Sequence, residues 1–484
     1  MSSITILIFI LLYFGILVGI SYITGKNANN NDFFIGNRKS HWYLIALGMI
    51  GDSLSGVTFI SVPGTIEKAQ FSYMQVVLGY FVGYILIAQV LLPLYYRLQL
   101  TSIYSYLLQR FGPKSQKTGS FFFLVSRLLG AAGRLFLAVS TIQIFVFNQL
   151  GIPFAFTVFI MIFLMLIYTF KGGIKTLVWT DTFQSLLLLF GLIAAITAII
   201  SQLNLPFPEL WNKIQDGGYT QTFFWDPQSK HYFWKQFLGG MFIAATMTGL
   251  DQNMMQKNLS CPSLKDAQKN IYSFSFIVVF VNLLFLFMGA LLFVYAHEKG
   301  IILPSKSDEV FPDLALNHLG AAAGLFFIIG LTAATFSSAD SVLTTLTTSF
   351  CIDFLNYESR QDWDEKKKTQ WRKIIHITFS IILFFIIIGF QKYNNDAIIN
   401  TVLSIANYTY GPLLGLFAFG LLTKRKSMDK IVPFICFLAP LICYILHKNS
   451  KLWFNGYEFG YELLIINGFI TFTGLFIFRK KEAL

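Results

Sequence analysis

Gly51-Asp52-Ser53-Leu54-Ser55-Gly56 and Thr246-Met247-Thr248-Gly249-Leu250-Asp251-Gln252 interrupt two otherwise apolar stretches with glycine, hydroxyls and acids near their middles. Unwound backbone inside a bilayer strands its own N–H and C=O groups and is tolerated only where it lines a cavity. The two interruptions lie five apolar stretches apart, so the halves they head, 41–201 and 232–422, cross the membrane in opposite senses. Broken helices at matching positions of inverted halves point to a midplane binding site in a secondary transporter. A glycine hinge in a kinked helix accounts for either interruption alone. The repetition argues against it.

Composition supports that reading. Of 484 residues, 55% are hydrophobic and 12% charged, against about 25% charged in soluble domains. About thirteen apolar spans follow one another: 4–24, 41–62, 71–96, 120–147, 153–170, 176–200, 233–255, 271–295, 319–352, 374–391, 397–422, 431–446 and 461–478. The sequence therefore predicts an all-α polytopic membrane protein with about 13 transmembrane helices. They divide into an extra N-terminal helix (1–30), a five-plus-five inverted repeat (41–201 and 232–422) and two C-terminal helices (428–484). The first span has no basic segment before it and no cleavage site, so a retained helix is expected, not a signal peptide. Connectors 201–232 and 296–318 read as ordinary loops.

With the N-terminus outside, 25 of the 36 basic residues, Lys257 among them, fall on alternate loops that become cytoplasmic. The positive-inside rule favours that orientation, with the C-terminus inside. The net charge of +12 is then a matter of topology, and no nucleic-acid partner is expected. Four cysteines show no CxxC pairing, which argues against a disulfide framework or a cysteine-based zinc site, and six scattered histidines make no metal constellation. No nucleophile, acid–base pair or metal cluster points to an enzyme, and no appended domain points to a sensor. No cofactor and no obligatory protein partner are called for.

In the ninth span, Thr335-Phe336-Ser337-Ser338-Ala339-Asp340-Ser341-Val342-Leu343-Thr344 puts Ser337, Asp340, Ser341, Thr344 and Thr348 on one helical face. An aspartate at the centre of a span costs roughly 2.5–3.5 kcal/mol on insertion scales, so its presence calls for a function. Neutral oxygens with one acid among them suit a small hard cation, although Ser and Thr also serve as hydrogen-bonding glue between helices.

Further motifs resemble the sodium/solute symporter family along nearly the whole chain. Lys171-Gly172-Gly173-Ile174-Lys175 leading to Val178-Trp179-Thr180-Asp181-Thr182-Phe183-Gln184 is similar to that family's Gly-Gly…Trp-Thr-Asp…Gln signature. Thr58 to Gly64, Leu98 to Phe111, Asp251-Gln252 with Gln256-Lys257, and Gly411 to Phe417 resemble others, with Lys257 where Arg is usual. The resemblance implies a LeuT-like inverted-repeat fold in the inner membrane and coupling to sodium. It implies a first sodium site on the carbonyls of Gly51, Leu54 and Ala334 and the hydroxyls of Ser337 and Ser338. Five neutral oxygens suit a weakly held monovalent ion that must leave again. A second site would use Asp181, Ser337, Asp340 and Ser341, with Asp340 where Ser is more common, so that a second sodium or a shared proton is open.

For the solute, Ser53, Ser55 and Thr58 with Arg134 resemble bacterial sodium-coupled sialic acid symporters. The glutamine those proteins carry on the third span falls on Val77 here, with Gln75 two residues away. Tyr73, Gln75, Asp251 and Gln252 complete the candidate solute-binding set. Arg134 lies deep in the fourth span, where its fork suits a carboxylate or structural pairing with Asp181, Asp251 or backbone carbonyls. Arg127, nearer the cytoplasmic end, is expected to snorkel. A small polar organic solute is thus expected, a carboxylate or sugar acid such as sialic acid first. A neutral sugar, inositol, amino acid or vitamin-like solute remains open.

Overall fold

The computed structural model describes residues 3–26, 28–393 and 398–479. Within the ranges read above, residues 1, 2, 27, 394–397 and 480–484 lie outside the described residues. No strand occurs among the described residues, and each apolar stretch is mainly helical over its described part. We number the principal helices α1 (Ser3–Gly25), α2 (Trp42–Ser53), α3 (Gly56–Gly64), α4 (Tyr73–Arg97), α5 (Pro113–Ile142), α6 (Phe154–Thr169), α7 (Ile174–Leu203) and α8 (Phe233–Ala244). They continue with α9 (Gln252–Leu259), α10 (Leu264–Lys299), α11 (Ala321–Phe354), α12 (Glu365–Tyr393), α13 (Ile398–Leu422), α14 (Val432–Lys448) and α15 (Glu462–Ile477).

Eight of the described helices are individually long and apolar enough to cross a membrane, and α2 with α3 makes a ninth, bent by 56°. Both sequence interruptions end helices. The α2–α3 chain leaves helical geometry at Leu54 and Ser55. The second passes through a widened π-helical turn, Ala245–Gly249, and restarts at Asp251, whose carboxylate caps α9 by accepting from the Met254 N–H. Capping of this kind satisfies an N–H that the first helical turn otherwise leaves bare.

The long connectors are not plain loops. They contain Phe207–Asp216 and Ser307–Asp313. In the former, Leu210 and Ile214 are buried while Phe207 and Trp211 are exposed, which is how an amphipathic helix lies along a surface. Arg127 does not snorkel: it is 5% exposed and bonded inside the bundle.

Helices pack closely where side chains are small. α4 runs along α8, and a Cβ on Gly79 or Gly240 would strike the backbone carbonyls of Phe237 and Val76. Lipid supplies no hydrophobic drive between helices, so such close backbone approach is what holds them. α2 lies against α7, α10 and α11, and α11 also packs on α5, so the broken span meets the hydroxyl-rich one. Gly240→Ala is expected to lower stability by about 1–3 kcal/mol through overpacking. A melting curve in detergent reads it, and an unshifted transition would mean that α4 and α8 are not in contact.

Candidate functional site

The break between α2 and α3 frees the carbonyls of the last turn of α2, which no longer meet an N–H four residues ahead. Leu54 (φ −98°, ψ 58°) closes that turn on the Ile50 carbonyl at 2.7 Å, and Ser55 (ψ 173°) is extended. α11 passes directly alongside. A Cβ on Gly51 would sit 2.6 Å from Ser337 Oγ and 3.0 Å from Ser185 Oγ, and one on Gly56 would collide with Thr335 Oγ1. Glycine at these two positions is what lets the helices touch. The Gly51 N–H donates to Ser185 Oγ at 2.9 Å, fixing α2 to α7.

The hydroxyls facing this junction are left open. Ser337 Oγ and Thr335 Oγ1 are buried without a hydrogen-bond partner among the described residues. Ser338 donates to the Thr335 carbonyl at 2.9 Å, so its lone pairs point elsewhere. Buried polar atoms are nearly always satisfied, so unpartnered hydroxyls at a helix break make this junction a candidate binding site. Gly51, Leu54, Ala334, Ser337 and Ser338 are all buried here, and the donor set is neutral oxygen throughout.

One turn further along α11 lies the acidic cluster. Tyr168 donates to Asp340 Oδ2 at 2.6 Å, and Ser341 donates to Asp181 Oδ2 at 3.1 Å. Lys257 Nζ donates to that same Asp181 oxygen at 2.5 Å and to Asp52 Oδ2. Lys257, expected in a cytoplasmic loop, is instead 1% exposed at the centre of the cluster. Asp181 is therefore already paired with an ammonium. Two buried carboxylates require a cation nearby, which the hydropathy pattern of 233–255 concealed by ending just before Lys257. The sequence signal that would have found it was charge balance: acids at 52, 181 and 340, with Arg134 the one basic residue considered for any of them.

A cavity of about 110 Å³ opens beside the break. Of the candidate solute residues, Ser53, Ser55, Thr58, Tyr73 and Arg134 line it, together with Asp52, Tyr80 and Thr248, which sequence reasoning missed. Arg134 is 9% exposed and has no ion-pair partner among the described residues.

Gln75, Asp251 and Gln252 do not line the cavity. Gln75 Nε2 donates to the His231 carbonyl at 2.9 Å and Oε1 accepts from the Phe224 N–H, strapping a connector onto α4. Asp251 accepts from Arg127 Nε and from the Tyr410 hydroxyl, each at 2.5 Å, besides capping α9. Gln252 bridges the Thr101 carbonyl and the Ile103 N–H at 2.8 Å. Polar residues at a helix break must first satisfy the backbone and one another, and these three are consumed in doing so.

A family model described as the sodium:solute symporter family matches residues 33–429. The chain belongs to that family. It is 23% identical, over 97% of its length and 94% of the relative's, to the sodium/sialic acid symporter SiaT of Proteus mirabilis (strain HI4320). It is 26% identical to the human sodium-coupled monocarboxylate transporter 1, over 90% of this chain and 70% of that one. A solved structure of a sodium-coupled sialic acid symporter, described as a substrate-bound outward-open state, superposes with a TM-score of 0.84 at 20% identity. That match covers 98% of this chain and 97% of the other. The fold is that of this multi-pass membrane transporter family.

The end of α4 and the segment after it are tied to the second interruption. Tyr95 in α4 and Tyr104 beyond it donate to the Gly249 and Leu250 carbonyls, and Gln252 holds the segment between them. Ser102 and Gln116 donate to the buried Asp353. Removing the lysine from the acidic cluster should be severe: Lys257→Met leaves two carboxylates unpaired and is expected to cost about 3–5 kcal/mol. Adding Asp52→Asn should restore part of that loss in a melting experiment. Strict additivity of the two substitutions would mean that the pair is not shared.

Proposed function

We infer that this chain is a sodium-coupled symporter of the inner membrane that imports a small carboxylated solute. Arg134 carries the inference. A buried guanidinium that faces the cavity with no ion-pair partner among the described residues lacks its natural partner, and a bidentate acid supplies it. The hydroxyls of Ser53, Ser55, Thr58 and Tyr73 suit the rest of a polar solute. Two of the relatives carry acids by name, sialic acid and monocarboxylates.

Sodium is the coupled cargo. It binds the Gly51, Leu54 and Ala334 carbonyls with Ser337 and Ser338 Oγ, and a second cation uses Asp181, Ser337, Asp340 and Ser341. Holding Gly51 and Leu54 against α11 sets the geometry of Ser53 and Ser55, which face the solute. Sodium thereby raises solute affinity, and by linkage the solute raises sodium affinity by the same factor. Repeats 41–201 and 232–422 rock about this junction, with α1, α14 and α15 outside the repeats. The basic loops place the N-terminus outside and the C-terminus in the cytoplasm. The chain performs transport and no bond chemistry, and it requires no cofactor or protein partner.

Uptake of labelled N-acetylneuraminate and of lactate into proteoliposomes is expected only with an inward sodium gradient. Equal accumulation in potassium would refute symport. Arg134→Ala should weaken the transported acid by about 2–5 kcal/mol, the range for truncating one side of a buried charge pair. Unchanged affinity would remove Arg134 from the solute site. Ser338→Ala should raise the sodium concentration for half-maximal uptake about tenfold, as loss of one polar ligand implies.

A further inference from the structure

Three carboxylates, Asp52, Asp181 and Asp340, are buried around one lysine. Lys257 bonds only two of them. Asp52 lines the solute cavity. Asp181, which also accepts from Ser341, belongs to the cluster with Asp340 on the far side. Each of the three acids keeps an Oδ1 without a hydrogen-bond partner among the described residues. A single ammonium therefore divides its charge between the solute cavity and the cation cluster, where screening by water is weak.

The lysine is mounted on a fixed post. α9 is capped by Asp251, which Arg127 and Tyr410 hold, and Gln256 Nε2 donates to Thr348 Oγ1 at 2.9 Å. A second cation drawn to the open Oδ1 atoms of Asp181 and Asp340 repels the ammonium and competes for Asp181. The ammonium's attraction then falls more fully on Asp52. Asp52 sits in the last turn of α2, next to Ser53. Tightening that pair fixes the turn from which Ser53 and Ser55 reach the cavity.

We propose that Lys257 is a positioning residue that transmits cation occupancy at the Asp181–Asp340 cluster to the solute cavity through Asp52. The relay rests on the symport reading above, and its test separates the two. Amide hydrogen exchange of the full-length protein in detergent is followed during a sodium titration, with choline keeping ionic strength constant. The readout is the sodium concentration that half-protects residues 53–58. Asp340→Asn is expected to shift that midpoint at least about fivefold in the parent and by less than about twofold in an Asp52→Asn background. Asp52→Glu should restore the larger shift, and α11 amides should keep their sodium protection in every variant. If Asp52→Asn does not melt cooperatively, Asp52→Ser takes its place in the cycle. Equal shifts in both backgrounds, or none in the parent, would overturn the relay. No sodium-dependent protection anywhere in the parent sinks the symport reading and the relay with it.

Discussion

A polar group at the middle of a bilayer has no water to fall back on, so every freed carbonyl and every charge there must find a partner within the protein. The α2–α3 break and the acids beside it create such demands in one small volume. Its consequences run through the structure. Gly51 and Gly56 admit α11 to near contact with the break. Ser185 takes the Gly51 N–H. Lys257 is drawn from the end of an interrupted helix into the interior. The oxygens still unpaired after these arrangements are Ser337 Oγ and Thr335 Oγ1 beside the break and the Oδ1 atoms of Asp52, Asp181 and Asp340. They are the groups on which the proposed cation sites rest.

The buried cations divide their labour. Arg127 is spent on Asp251 and the Met247 carbonyl, which hold the second interruption in shape. Lys257 is spent on Asp52 and Asp181. Arg134, seven residues beyond Arg127 on the same helix, is left facing the cavity. A pair whose partner is removed costs more than the pair contributes, so the two committed cations are framework. The uncommitted one is the group that the proposed carboxylated solute would meet.

Much of this was legible in the sequence because the bilayer imposes a coarse and demanding pattern. Apolar length gave the helices, and the paired interruptions at 51–56 and 246–252 gave the places where they break. Ser337 and Ser338 stand out already in the sequence, as polar residues where lipid offers no partner. Gln75, Asp251 and Gln252 were misjudged because composition cannot tell a residue that meets a solute from one that caps a helix or anchors a connector. Lys257 was misjudged because a basic residue at the rim of an apolar stretch reads as cytoplasmic. Only the three-dimensional convergence of α2, α7 and α9 shows that it lies between two acids.

The central claim is that a dehydrated alkali ion joins the broken α2–α3 span to α11. Cryo-electron microscopy maps of the protein purified in sodium and in potassium, at a resolution that separates ions from water, test it most directly. We expect density in sodium within coordinating reach of the Gly51 and Leu54 carbonyls and of Ser337 and Ser338 Oγ, absent or displaced in potassium. Identical maps in the two salts, with those four groups closed on one another or on water, would contradict the account.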